Sequence, residues 1–377
     1  MSDNLTTSQV TRAVIDLSAC RHNLSIAKQA APDSKCIAII KANAYGHGIV
    51  QIARALTDAD TFGVARMAEA VQLREAGIRS SILLLEGFSS IEELNLVRDH
   101  NLECVIHHAS QLELLEAWQA ANGKKISVYL KIDTGMHRLG FQPENIKNVI
   151  QRLQKNSDVA QPVKLMTHLA NADDKHDEKT LKQVEIFYQS VEECLNNKTH
   201  SEISIANSAG ILGWPQTHTR WHRPGILLYG ISPFVNGVAA EHDLIPVMTL
   251  SSKLISVKEV KKGAAIGYGG TYICEKDMTV GIVAIGYGDG YPRHAKTGTP
   301  VLLNNKRCAL VGRVSMDMIC IDLSEQDNVE VNDLVVLWGK SSGGNDLPIE
   351  EVAEYSDTIA YELLCGVTSR VEFIYAD

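Results

Sequence analysis

No apolar run in this chain approaches the length of a membrane span, and its eight cysteines include no Cys-x-x-Cys pair. The opening MSDNLTTSQV lacks the apolar core of a signal peptide. Positive charge is also short, with 36 Lys and Arg against 45 Asp and Glu and a formal net charge of −9. That balance argues against a broad nucleic-acid or acidic-membrane surface. Cys20, Cys36, Cys104, Cys194, Cys274, Cys308, Cys320 and Cys365 lie far apart, which speaks against a zinc site or a disulfide frame. Scattered thiols without a leader give the expectation of a cytoplasmic protein. Internal repeats and low-complexity linkers are absent as well.

The 377 residues are 45% hydrophobic and 21% charged, the balance of a folded chain long enough for two domains. Short apolar runs recur through the first two-thirds: KCIAIIK, TFGVA, SILLLEG, LECVI, ISVYLKIDTG, VKLMTHLA and EISIANSAG, then a weaker THTRWHRPG. Helical patterns such as MAEAVQLREAG, ASQLELLEAWQAANGK and EKTLKQVEIFYQSVEECL lie between them. Continuous apolar runs suit strands buried on both faces. Eight of them alternating with helices predict an α/β fold, a (β/α)8 barrel of the TIM type, over residues 12–238. Beyond it, KLISVKEV, TVGIVAIG, TPVLLNN, CALVGRV, CIDL and LVVLWG predict a mainly β domain over 239–377, with one clear helix near PIEEVAEYSD. The early strand-like segment at 12–17 is expected to pair with that β domain.

In such a barrel the carboxyl ends of the strands line the active face. Lys41 ends the first run. A lysine at a strand end often does no more than reach water. An amine held against apolar surface, however, loses basicity and becomes available for a Schiff base. Lys131 and Asp133 end the fifth run and lead to Arg138; His168 ends the sixth; Asn207 and Ser208 end the seventh. Arg223, Pro224, Gly225 and Ile226 end the eighth. Singly, each has a plain structural explanation: a cap, a core histidine, a surface ion pair. Together, the Ser208 hydroxyl and the amides of Gly225 and Ile226 would make the phosphate cradle that this fold places after its last strands. A Schiff-base lysine beside a phosphate cradle suggests pyridoxal phosphate.

AIIKANAYGHG resembles the cofactor-lysine motif of the alanine racemases. KIDTGMHRLG, THLANADD, ANSAG, RPGILLYG, IGYGGTY, AIGYGDGYPR and GRVSMDM follow in the order of that family, over nearly the whole chain. The resemblance implies interconversion of L- and D-alanine with pyridoxal 5'-phosphate, supplying D-alanine for peptidoglycan. It places the cofactor lysine on Lys41 and phosphate contacts on Tyr45, Ser208, Gly225, Ile226 and Tyr361. Arg223 falls against the pyridine nitrogen and positions His168, and His168 and Asn207 count among the cofactor-binding residues. Two bases are implied, Lys41 and Tyr268, the latter reaching the site from the partner of a head-to-tail homodimer. Arg138 and Met316 would bind the substrate carboxylate, Tyr287 would narrow the entrance, and Lys131 would be a candidate for carbamylation. Asp317 reads as a turn or ion-pair residue rather than a catalyst. A serine or broad-specificity racemase of the same architecture is the nearest alternative, and a non-catalytic pyridoxal-phosphate carrier the next. No metal, membrane or nucleic-acid partner is expected.

Overall fold

The computed structural model describes residues 10–118, 123–192 and 202–377. Cys194 and the last residues of the pattern EKTLKQVEIFYQSVEECL lie outside them. The chain divides into two compact units, Cys20–Ile245 and a second made of residues up to Ala19 with Pro246–Asp377. Among the described residues no helix is long and apolar enough to cross a membrane.

After β1 (Arg12–Asp16), which belongs to the second unit, eight parallel strands close a barrel. They are β2 (Lys35–Ile39), β3 (Thr61–Val64), β4 (Ser81–Leu84), β5 (Glu103–Ile106), β6 (Val128–Lys131), β7 (Lys164–Met166), β8 (Ile203–Ser204) and β9 (Trp221–His222). Each falls in one of the eight apolar runs. β3 and β6 are buried at every residue, the reason their sequences do not alternate. The weak eighth run contributes only two residues. It still closes the barrel, because Lys35 and Cys36 of β2 pair with Trp221 and His222. Past the strand, the Ile39 amide donates to the Pro224 carbonyl at 2.9 Å, so a residue with no N–H of its own serves as an acceptor. At the amino end, Lys164 pairs with Glu103 at 2.6 Å and lies over the rings of Tyr129 and Trp221.

The second unit is built on an eight-stranded sheet. Its remaining strands are β10 (Met248–Val260), β11 (Ala265–Ile266), β12 (Tyr272–Ile273), β13 (Met278–Val283), β14 (Pro300–Leu303), β15 (Lys306–Ala309), β16 (Ile319–Asp322), β17 (Leu334–Trp338) and β18 (Glu372–Ala376). The order β15-β14-β17-β10-β1-β18 carries β13 and β16 as a branch from β10, and β11 and β12 form a separate ribbon. As expected, β1 returns to this sheet: Ala13 pairs with Leu250 antiparallel and with Phe373 parallel. Two helices appear rather than one, Ile349–Tyr355 and Ala360–Gly366, the second carrying Tyr361. Both span seven residues, but the first is marked by Pro348 and two glutamates in its first turn, whereas the second begins after Ile359.

The change of unit comes at Ile245/Pro246, later than the expected 238/239. Asn23 explains the delay. It is wholly buried, its amide donates to the Leu228 and Ile245 carbonyls, and its oxygen accepts from the Ile245 amide. The segment to Ile245 is thereby tied to the barrel. Asn23→Ala would leave buried backbone groups unpaired, and we expect urea unfolding to report a loss of about 1–3 kcal/mol. Asn23→Gln, which keeps both functions on a longer arm, serves as the comparison.

His47 and His222 are buried in the barrel unit, and burial pulls their pKa values from 6.5 down to about 4 and about 3. The unfolded chain therefore takes up protons that the folded one refuses. The stability of the neutral forms is whole above pH 6.5 and is lost as pH falls through 6.5 toward those lower values. Urea midpoints of the barrel unit measured across that window should decrease with acid.

Candidate active site

The chain leaves β2 through Ile40 and enters a turn of the wrong hand. Ala42, Asn43, Ala44 and Tyr45 all have positive φ, from 51° to 54°, and Gly46 and Gly48 follow at 82° and 92°. L-residues avoid this region, and a succession of four is unusual. The turn is held by its own backbone, Gly46 N–H to Ala42 O at 3.0 Å and Gly48 N–H to Asn43 O at 2.9 Å. From outside, the Glu69 carboxylate accepts the amides of Ala42, Ala65 and Arg66 at 2.6, 2.8 and 3.1 Å. One side chain thus ties the residue after Lys41 to the end of β3.

Lys131, the last residue of β6, is buried. Burial lowers its pKa to about 8, with the charges of Arg223, Arg138 and Lys41 adding to the effect. Arg138 sits on a loop folded back over that strand end: Phe141 N–H donates to Lys131 O, and Asp133 N–H donates to Phe141 O. The Asp133 carboxylate gathers the amides of Gly135 and His137 inside the loop. A side chain at Gly140 would stand 2.6 Å from the Asp133 nitrogen, so the return stroke requires glycine.

His168, at the end of β7, is pushed well below its ordinary pKa by burial and then by Arg223, Lys131, Arg138 and Lys41. The same four cations act on one imidazole, so the structure brings them to one rim. Gln183 fixes this strand end by donating to the His168 carbonyl and accepting from the Ala170 amide.

Arg223 is buried in the barrel mouth. Its Nη1 donates to Ser204 O and Ser204 Oγ at 2.9 and 2.6 Å, and its Nη2 donates to Thr167 O and Ile205 O at 2.6 and 3.1 Å. Nη2 also lies 3.3 Å from His168 Nδ1. Burial draws the guanidinium down to about 10, still charged at neutral pH. Its Nε–H has no acceptor among the described residues.

Asn207 caps the helix Ser208–Gly213, its oxygen accepting from Gly210 N–H at 3.0 Å. The cap in this loop is therefore Asn207 rather than Ser208. Ser208 Oγ accepts the amides of Gly225 and Leu227 at 2.9 and 3.4 Å, which joins the last two strand ends. Ile226 opens the 3-10 turn Ile226–Tyr229, and its amide has no acceptor among the described residues. At Gly225 a Cβ would stand 2.9 Å from the Tyr45 hydroxyl. The Ser208 hydroxyl and the Tyr45 hydroxyl thus meet at Gly225, next to the Ile226 amide.

In the second unit Tyr268, Met316, Tyr287 and Tyr361 are exposed, Tyr268 to 67%. Tyr268 begins a turn between Gly267 and Gly269, both at φ 72°. The loops of Tyr287 and Met316 are joined by Tyr287 N–H to Ser315 O and Gly288 N–H to Met316 O. Asp317 accepts from Arg370 at 2.7 Å, the ion-pair position expected of it. Sequence reasoning passed over Glu69, Gln183 and Ser204. All three act on backbone or on another functional side chain, and none belongs to a motif of strand-end charges.

Residues 15–233 match the alanine racemase N-terminal domain family, and residues 247–375 match the alanine racemase C-terminal domain family. The chain is 48% identical over 360 residues to the alanine racemase of Shewanella piezotolerans, covering 96% of this chain and 97% of that protein. It is 47% identical over 363 residues to that of Vibrio cholerae, with 96% and 97% covered. Among solved structures, the biosynthetic alanine racemase of Pseudomonas aeruginosa superposes with a TM-score of 0.91 at 42% identity, over 98% of this chain and 100% of that one. The alanine racemase of Acinetobacter baumannii gives 0.90 at 38% identity, over 98% and 100%. With both domains matched in order and the likeness running nearly end to end, this chain belongs to the alanine racemases, a family of isomerase enzymes.

Proposed function

We propose that the protein interconverts L- and D-alanine with pyridoxal 5'-phosphate held at the carboxyl rim of the barrel. We propose further that it works as a head-to-tail homodimer with shared sites and supplies D-alanine for peptidoglycan. The observation that carries the reading is Arg223: a buried guanidinium with Nη1 and Nη2 spent on the protein and Nε–H left for an acceptor. The residues present fit the cofactor, with a lysine at one strand end, this donor for a ring nitrogen, and a cradle of Ser208, Ile226 and Tyr45 for a phosphate.

When bound, the cofactor supplies an electron sink that acidifies the α-hydrogen of the amino acid. The chain does the rest. Lys41 holds the cofactor and is one base, its Nζ taking or returning a proton on one face of Cα. The partner subunit's Tyr268 is the other, its hydroxyl serving the opposite face. Arg223 cannot surrender a proton, so it keeps the ring nitrogen unprotonated and the sink weak, which favours prompt return of the proton to carbon. His168, braced against Arg223, lies in the same cationic neighbourhood. Tyr45, Ser208, Ile226 and Tyr361 hold the phosphate around Gly225, whose own amide is spent on Ser208 Oγ and whose missing side chain leaves the room, with Asn207 supporting the turn. Arg138 and Met316 bind the substrate carboxylate, and Tyr287 narrows the entrance.

The test is to incubate purified protein with pyridoxal 5'-phosphate and L-alanine, assaying D-alanine, with L-serine as control. D-Alanine formed well ahead of D-serine is the expected result. Equal racemisation of both would favour the broad-specificity alternative, and cofactor binding without turnover would favour a carrier. Tyr268→Phe should lower turnover by about 10²–10⁴-fold while cofactor binding persists. Lys41→Ala should lose both. Mixed after subunit exchange, these two inactive variants should regain about a quarter of wild-type turnover, because half the dimers then hold one intact site of two. No recovery despite proven exchange would contradict shared sites.

Lys131 is proposed to be carbamylated. Its pKa of about 8, against 10.5 for an ordinary lysine, leaves roughly a tenth of the amine neutral at pH 7, and only that form attacks carbon dioxide. The new N–C bond forms as nitrogen loses a proton, leaving an anion for Arg138. Protein equilibrated with 13C-bicarbonate should show a carbamate resonance that Lys131→Met abolishes; a spectrum without it refutes the modification.

A further inference from the structure

His47 is wholly buried and has no part in the chemistry assigned above. Its Nδ1 lies 3.0 Å from Ala44 O and 2.9 Å from Tyr45 O. Carbonyls only accept, so Nδ1 carries the proton and donates to both. Nε2 is buried with no hydrogen-bond partner among the described residues, as suits the bare nitrogen of a neutral ring. Burial holds the pKa at about 4, which keeps that neutral form at ordinary pH.

The ring is also the first member of an aromatic stack. It faces Tyr229 at 4.6 Å, and Tyr229 faces Tyr45 at 4.7 Å. The Tyr229 hydroxyl donates to Ile39 O at 2.9 Å, which anchors the stack to the end of β2. The two carbonyls that His47 holds belong to the last two of the four left-handed residues. Such backbone persists only where its surroundings determine it. A leucine would fill the volume and keep the backbone amide of residue 47 on Ala44 O at 3.0 Å, but would take the ring donor from both carbonyls, the one donor shown for Tyr45 O among the described residues.

We propose that His47 is a positioning residue for the cofactor-lysine turn, its Nδ1–H clamping the Ala44 and Tyr45 carbonyls so that the Tyr45 hydroxyl stays beside Gly225 to meet a phosphate. This rests on the cofactor reading above. It adds a residue that touches neither cofactor nor substrate and acts through Tyr45.

The test uses apoprotein of the wild type, His47→Leu and His47→Asn, each titrated with pyridoxal 5'-phosphate and with pyridoxal, which lacks the phosphate. The leucine variant should bind the phosphate form about 10-fold more weakly, the worth of one hydrogen bond, and bind pyridoxal as before. Asparagine, whose amide N–H reaches about where Nδ1 stood, should restore most of the loss. Hydrogen exchange at the Gly46 and Gly48 amides should quicken in His47→Leu while β3 and β6 keep their protection. Equal weakening toward both ligands, or no weakening at all, overturns the proposal. If the leucine variant does not fold, 15N spectra of wild-type histidine decide: a proton on Nδ1 is expected, and one on Nε2 overturns the clamp. A wild type that binds no pyridoxal 5'-phosphate would sink the cofactor reading, yet the exchange and tautomer results would still judge the clamp.

Discussion

A guanidinium buried in the mouth of a barrel is costly unless its donors are met, and Arg223 is met by three backbone carbonyls and two neutral side-chain groups. Its partners are the carbonyls of Ser204, Thr167 and Ile205, the Ser204 hydroxyl and an imidazole nitrogen, none of them a carboxylate. The positive charge is therefore held without being neutralised. That choice governs the rest of the rim. After burial, Arg223 is the leading cause of the lowered pKa of both Lys131 and His168. The same anchoring leaves one N–H for a ligand, in a place where its direction is set by β7 and β8 rather than by a flexible loop.

The other half of the rim depends on backbone hand. Lys41 is followed by four residues that an unaided chain would not place in the left-handed region. Their conformation is held from three directions: Glu69 takes the first amide, the glycine amides close the ladder, and His47 takes the last two carbonyls. Strain in the turn after Lys41 is thus supported by residues that make no contact with the proposed chemistry. Rigid support of this kind lets a short segment present a lysine and a tyrosine in fixed relation.

Much of the architecture was legible in the sequence, for a physical reason. Strands buried on both faces must be continuously apolar, so KCIAIIK, TFGVA and ISVYLKIDTG announce β2, β3 and β6. Strand-end charges were legible because a buried rim has few other uses for lysine, arginine and histidine at successive positions. The short eighth strand was weak because half of its role falls to the Pro224 carbonyl, which no hydropathy pattern records. The helix carrying Tyr361 was missed because it lacks the start signal of its equally short neighbour, which has Pro348 before it and Glu350 and Glu351 in its first turn. The hand of the turn after Lys41 was not legible, since Ala, Asn, Ala and Tyr carry no signal for it and its causes lie at Glu69 and His47. The place of Ser208 was half read: it does join the last two strand ends, but by accepting the Gly225 amide rather than by standing beside it.

We propose that Arg223 keeps the ring nitrogen of bound pyridoxal 5'-phosphate unprotonated. It is tested most directly by the 15N chemical shift of ring-labelled pyridoxal 5'-phosphate bound to the protein at neutral pH. The expected result is the shift of an unprotonated pyridine that accepts a hydrogen bond, moving to a different value in Arg223→Leu. A protonated-pyridinium shift in the wild type would contradict it.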